Sequence, residues 1–182
     1  MLYALWHSWP SAIAAASILA SAAILVLAAG HDIASRTVPN WMSAAIACFG
    51  VAAAVADDRA LISIACGFVV FVASAFCWRR GWMGGADVKL LGAIAIVLPP
   101  GVVSTFVCAM AAAGAVHAIA YMLAGRVVTP PAPAPAQRLV PRSLLRRALR
   151  AERWRISRHG PLPYACAIAF GFLFVICHGA AP

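Results

Sequence analysis

Two aspartates, Asp32 and Asp87, stand at the borders of hydrophobic stretches of the sequence. Asp32 follows the first apolar run, and Asp87 comes directly before another, where a charged side chain is costly and usually functional. Two carboxyl groups that share a site cannot both ionise cheaply, so the pair is expected to hold one proton near neutral pH. The ionised group can take a proton from an attacking water while the protonated group donates to a peptide carbonyl. The pair therefore predicts hydrolysis by general acid and base catalysis.

Small and polar residues beside the aspartates are candidates for shaping this site. Gly84 and Gly85 lack a Cβ, so an extended substrate can lie close to the backbone there, or the chain can form a turn with positive φ. Lys89 is expected to reach the lipid headgroups, or alternatively to lower the pKa of a neighbouring carboxyl group. Pro39 interrupts helical structure, and Asn40 is expected to cap the helix that follows.

Motifs of other catalytic and binding chemistries are absent from the sequence. There is no H-E-x-x-H, no G-x-S-x-G and no glycine-rich phosphate loop ending in Lys-Ser or Lys-Thr. The six cysteines are scattered through apolar segments, without a C-x-x-C or zinc-ligand spacing to a histidine. We therefore expect neither a metal nor a cofactor.

The composition predicts an all-α integral membrane protein. Hydrophobic residues make up 64% of the chain and charged residues 10%, whereas soluble domains have about 45–50% and about 25%. Apolar runs of about 20 residues can span a bilayer as helices. We expect one domain over 1–182 with about six transmembrane helices, near 11–30, 41–56, 60–78, 87–98, 101–125 and 162–178. The fourth is too short to span alone, so it either continues through a kink at the prolines or ends inside the protein.

Positive charge is concentrated near the C-terminal end of the chain. The net charge is +9, and nine of the 14 basic residues lie in the Pro/Arg-rich segment 126–161, which is expected to be a cytoplasmic linker. Within it, 143–156 has the pattern of a basic amphipathic helix, which would lie on anionic lipid headgroups or form a solvated face that only enforces topology. Because basic residues outside apolar runs mark the cytoplasmic side, no nucleic-acid partner is expected.

The distribution of basic residues also predicts orientation. The loops after the first, third and fifth helices hold 13 basic residues, and those after the second and fourth hold only Arg59. The odd-numbered loops are therefore expected in the cytoplasm and both termini outside. This topology places Asp32 and Asp87 at the same membrane face although they are far apart in sequence.

Three stretches match sequence motifs in chain order. Gly84 to Leu90 (GGADVKL) fits G-x-G-D-x-K-L, Asp32 to Asn40 (DIASRTVPN) fits D-x-x-x-x-x-[IV]-P-N, and Leu162 to Ala169 (LPYACAIA) fits the start of a last helix. In these motifs the chain resembles type IV prepilin peptidases, the bacterial members of the G-x-G-D membrane aspartic proteases. Ala86 stands where the motif has its second glycine, which would cost about 1 kcal/mol or more if this position needed a positive φ. Ala165 likewise replaces a glycine.

The resemblance implies an aspartic endopeptidase of the bacterial inner membrane. Such an enzyme removes the basic leader of prepilins and pseudopilins at the cytoplasmic face, with Asp32 and Asp87 as its catalytic acids and no metal. Its substrate contacts would include the leader and the first pilin helix. The large form of the family has a cysteine-tetrad domain and methylates the new amino terminus, but this sequence has no such domain. It resembles the short form that serves Flp pili of tight-adherence systems, so no methyltransferase activity is expected.

A non-enzymatic membrane protein is the alternative. The chain would then be an inactive relative acting in pilus assembly, or a small transporter using Asp32 and Asp87 as a proton or cation site. Transport would favour acids near the middle of the membrane and an internal repeat. The sequence contains no repeat, and Asp32 and Asp87 lie at helix borders.

Overall fold

The computed structural model describes residues 12–128, 144–157 and 162–179, and in these ranges every regular element is an α-helix. The all-α prediction is thus confirmed for the described chain. Residues 1–11, 129–143, 158–161 and 180–182 lie outside the described residues, and these include about half of the predicted linker 126–161. The helices are α1 (Ala12–Ser35), α2 (Asn40–Ala56), α3 (Ala60–Arg79), α4 (Gly85–Val97), α5 (Pro100–Val127), α6 (Leu144–Ser157) and α7 (Tyr164–Gly179).

Three of these helices, α1, α3 and α5, are long and apolar enough to cross a membrane, and α2 and α7 are shorter apolar helices. The protein is therefore an all-α membrane protein. The count of six spans and the orientation of the termini remain predictions.

The short helix α4 lies at the centre of the bundle. It contacts α1, α2, α3, α5 and α7, and its side chains Leu90, Ile94 and Val97 are completely buried. At 13 residues it is about 20 Å long. Leu98 then adopts extended backbone, and α5 begins anew at Pro100. Of the two sequence-based alternatives, the structure has the helix that ends inside the protein.

The C-terminal end of α4 is held by Arg59, from the turn before α3. Its Nη2 donates to the carbonyl of Val97 at 2.9 Å, and its Nη1 donates to those of Leu98 and Ile96 at 3.3 and 3.5 Å. The last carbonyls of a helix lack intrahelical partners, so these bonds satisfy acceptors that would otherwise be orphaned. The sequence predicts here a solvated turn with Asp58 as the cap of α3. Asp58 is exposed, but its predicted cap role is wrong, because Arg59 occupies the cap position and makes no side-chain cap bond.

The first helix is longer than the sequence predicts. It continues past residue 30 to Ser35, so Asp32 belongs to its last turn rather than to the following loop. Arg36 ends the helix: its N–H donates to the carbonyl of Asp32 at 2.8 Å, and its φ of 56° is left-handed. A residue with a left-handed φ commonly ends an α-helix. It turns the chain toward Pro39 while keeping Asp32 in a rigid helix.

Candidate active site

The structure brings Asp32 and Asp87 to the same end of the bundle. Asp32 comes from the last turn of α1 and Asp87 from the first turn of α4. Asp87 lies outside the three candidate membrane spans. Burial, reinforced by the negative charge of Asp32, raises the pKa of Asp87 to about 6. The two carboxyl groups therefore interact electrostatically, as a pair that shares one proton requires.

Gly84 positions the carboxyl group of Asp87. The backbone N–H of Gly84 donates to that carboxyl group, which folds back on the N-terminus of its own helix. A Cβ on Gly84 would lie 3.0 Å from Asp87 Oδ2, so a larger residue would press on the carboxylate. The φ of Gly84 is −74°.

A turn with positive φ at Gly84 and Gly85 was one of the two roles predicted for these residues. Between residues 12 and 128, left-handed φ values occur only at Arg36, Asp58 and Gly81. The suggested turn is therefore wrong for Gly84, Gly85 and Ala86. Ala86 does not have a left-handed φ, and the close approach of a substrate to Gly84 and Gly85 stays a prediction.

Asp32 is surrounded by groups from three other segments. The backbone N–H of Ala165, in the first turn of α7, donates to its carboxyl group. The cations of Arg36 and Arg155 and the anion of Glu152 also act on it. Burial is the largest influence and, like Glu152, disfavours the carboxylate form, whereas the N-terminus of α7 and the two nearby arginines favour it. Asp87 has no arginine or lysine among the groups that shift its pKa. The two aspartates thus have different electrostatic surroundings.

Tyr164 is a further neighbour of the pair. The charge of Asp87 acts on its hydroxyl group, and the ring packs against Gly114 of α5, where a Cβ would lie 3.0 Å from the Tyr164 oxygen. Tyr164, Glu152 and Arg155 are not among the site residues predicted from the sequence. The motif at the start of the last helix was a signal for Tyr164, and Glu152 is conspicuous only as the one glutamate of the sequence.

Lys89 and Asn40 pair with each other. Lys89 Nζ donates to Asn40 Oδ1 at 2.8 Å and so links α4 to α2. The predicted cap role of Asn40 is wrong, because Pro39 is the cap residue of α2 and makes no side-chain cap bond. Lys89 and Asp87 are two positions apart, about 200° around the helix, and thus on opposite faces of α4. Lys89 is absent from the charges that shift the pKa of Asp87, so a role in tuning that group has no support.

A cavity of about 480 Å³ lies on the Lys89 face of α4, between α2 and α3. Its walls are mostly apolar, including Phe68 and Phe71. The cavity is separated from the aspartate pair by α4 itself. In the described parts of the chain, no three His, Cys, Asp or Glu side chains are grouped as metal ligands would be.

The sequence profile of the type IV leader peptidase family matches residues 19–119. No curated protein and no solved structure matches the chain. The matched region runs from α1 into α5 and contains both Asp32 and Asp87. It covers more than half of the 182 residues. On that match, and with the two carboxyl groups brought together as described, the chain belongs to the type IV leader peptidase family.

Proposed function

We propose that this protein is an aspartic endopeptidase that removes the N-terminal leader of Flp-like prepilins and pseudopilins. The observation that carries the proposal is the electrostatic pairing of Asp32 and Asp87, two acids from different helices of a leader-peptidase family member. Both are partly buried, and low dielectric strengthens their interactions with a reacting peptide bond.

The different surroundings of the two acids suggest different roles. Asp87 holds the shared proton and donates a hydrogen bond to the carbonyl oxygen of the scissile peptide. Asp32, held by the Ala165 N–H, accepts a proton from water as the water oxygen bonds to the carbonyl carbon. When the tetrahedral intermediate collapses, the C–N bond breaks and a carboxyl proton passes to the leaving amine. Water is consumed, and the pair returns to its single-proton state.

The cytoplasmic membrane face is the proposed location of the reaction. Arg36 and Lys89 belong to the aspartate end of the bundle, and Arg79 and Arg80 end α3 beside the loop that leads to α4. Arg59 lies at the opposite end, against the C-terminus of α4. Basic residues favour the cytoplasmic side. The same rule supports both termini outside and an inner-membrane location in a bacterial cell.

Two further features belong to the proposal. The exposed Arg150 and Arg153 of α6 face anionic lipid headgroups. The enzyme acts without methyltransferase activity, because the cysteines present are free and distributed over four helices and no cysteine tetrad is present in the sequence.

The test is co-expression with an Flp-type prepilin in a host that lacks its own prepilin peptidase. Processing is read as a mobility shift and by sequencing of the new amino terminus. Asp32→Asn and Asp87→Asn should each abolish the shift. Asp58→Asn is the matched control, since Asp58 is exposed and asparagine tolerates its left-handed φ of 53°. Processing that survives either active-site variant would refute the catalytic pair and favour the non-enzymatic alternative.

A further inference from the structure

The basic helix α6 is attached to the helix that carries Asp32. It packs against α1 and α5, and its described residues include Glu152 and Arg155, whose side chains are mostly buried, with exposed fractions of 14% and 18%. The sequence predicts a helix that lies on lipid headgroups or presents a solvated face. Part of α6 instead faces protein.

The attachment is a chain of ion pairs centred on Glu152. Its Oε1 accepts from Arg36 Nη2 at 2.7 Å, and its Oε2 accepts from Arg155 Nη1 at 3.0 Å. Arg155 Nη1 also donates to the carbonyl of Ile33 at 2.8 Å. Arg36 Nη2 further approaches the hydroxyl of Tyr121 on α5, at 3.5 Å. Glu152 Oε1 thus joins α6 to the end of α1, while its Oε2 holds Arg155 of the same helix, which reaches the Ile33 carbonyl.

These contacts fall on the turn that holds Asp32. Ile33 follows Asp32 directly, and its carbonyl is among the last four of α1, which have no acceptor role within the helix. Arg155 supplies a donor to it. Arg36 is the residue whose N–H closes the helix on the Asp32 carbonyl. The cluster therefore restrains the backbone on the C-terminal side of Asp32.

The cluster depends on Glu152 because it would otherwise contain only cations. Arg36 and Arg155 each contribute one positive charge, and Glu152 is the only described anion paired with them. Removing one member of a mostly buried ion pair leaves an uncompensated charge, which is strongly destabilising locally. Without Glu152, Arg36 and Arg155 would lose the anion that they share, and the bond from Arg155 to the Ile33 carbonyl would be left as a described polar link between α6 and α1.

We propose that Glu152 is a positioning residue of the active site, which holds α6 on the end of α1 and so fixes the turn that carries Asp32. The catalytic part of this inference rests on the proposed peptidase function, but the docking of α6 does not. Glu152 itself need not touch the substrate.

The docking is tested by tryptic digestion of the purified protein in detergent. Trypsin must bind the arginine side chain, so cleavage after Arg155 requires release of its contacts, whereas the exposed Arg153 is an internal reference. Glu152→Gln should raise cleavage after Arg155 relative to Arg153 several-fold. Arg150→Gln is the matched control, because Arg150 is an exposed residue of the same helix. An unchanged ratio in Glu152→Gln would overturn the docking role.

The catalytic role is tested by prepilin cleavage kinetics with the same variants. Glu152→Gln should lower kcat by at least about tenfold with little change in KM, since a small displacement of a reacting group is costly. Glu152→Asp, which keeps a negative charge between Arg36 and Arg155, should recover part of this loss. Equal kcat in Glu152→Gln and Arg150→Gln would overturn the positioning role. If wild-type protein cleaves no prepilin, the peptidase proposal and the positioning role fall together, and the digestion result still decides the docking.

Discussion

Asp87, in the first turn of α4, is within the electrostatic reach of Asp32, in the last turn of α1. Burial of Asp87 is the larger cause of its raised pKa, and the charge of Asp32 adds to it. A single aspartate on an exposed surface would not have such a raised pKa. With a pKa of about 6, Asp87 keeps its proton under mildly acidic conditions.

We predict that Asp87 makes the protein less stable as the pH rises through about 6. Its pKa is raised from 3.8 to about 6 in the folded state, so its stabilising contribution is complete below pH 3.8 and is lost as the buried group ionises. Asp87→Asn should therefore raise the free energy of unfolding at pH 8 by about 1–3 kcal/mol. Near pH 4 the gain should disappear. Thermal unfolding in detergent at the two pH values measures the difference, and a gain that is equal at both would contradict the assignment.

The same titration predicts the alkaline side of the activity profile. If Asp87 donates to the substrate carbonyl, kcat/KM should decline as the pH rises above about 6 in the free enzyme. Cleavage of a detergent-solubilised prepilin between pH 5 and 8 measures this. An activity that rises steadily across this range would show that Asp87 acts in its ionised form.

Gly84→Ala should lower activity by about tenfold or more, because displacing a catalytic group slightly is costly. The added Cβ would lie 3.0 Å from Asp87 Oδ2 and would move that carboxyl group. Ala86→Gly is the instructive comparison: the sequence motif has glycine there, but Ala86 has no positive φ. It should leave cleavage rates nearly unchanged. A large gain in cleavage rate from Ala86→Gly would mean that the glycine of the motif makes room for the substrate and is not needed for the backbone conformation.

Arg59→Gln should destabilise the fold by about 2–4 kcal/mol, since its mostly buried guanidinium bonds three carbonyls at the end of α4. Arg59→Lys should recover only part of this, because an ammonium cannot reproduce the planar fork. Arg79→Gln, an exposed arginine at the end of α3, should change stability by less than about 0.5 kcal/mol. Unfolding midpoints of the three variants in one detergent give the comparison. Equal losses of stability in Arg59→Gln and Arg79→Gln would show that the bonds of Arg59 to these carbonyls are unimportant.

How far the sequence predicts this structure depends on the range of the interactions. Apolar runs and glycines locate the helices, and charges at their borders identify Asp32 and Asp87. The hydrogen bond of Arg59 to the Val97 carbonyl joins residues 38 positions apart, and the ion pair of Arg36 with Glu152 joins residues 116 positions apart. Helical periodicity gives the faces of a helix but not its neighbours, so such contacts are visible only once the helices are packed. For the same reason Arg59 resembles an ordinary loop residue in the sequence.

The length of α1 has a different cause. Hydrophobicity falls after Gly30, which suggests an end to the helix, but the backbone continues until Arg36 adopts a left-handed conformation. Local hydrogen bonds, such as that of the Ser35 hydroxyl to the His31 carbonyl at 2.8 Å, accompany this polar extension. Composition therefore underestimates a helix whose last turn is polar because it carries the site.

Lys89→Gln separates a structural role of this lysine from an electrostatic one. Lys89 bonds Asn40 at 2.8 Å and lies on the face of α4 opposite to Asp87. Loss of this exposed contact between α4 and α2 should cost about 1 kcal/mol of stability or less, and the pH at which activity declines should not move. If Lys89 instead stabilised the Asp87 carboxylate, its removal would raise the pKa of Asp87 and shift the decline to higher pH. Parallel pH–activity profiles of wild type, Lys89→Gln and the control Arg80→Gln, whose exposed side chain lies over the Phe76 ring, distinguish the two.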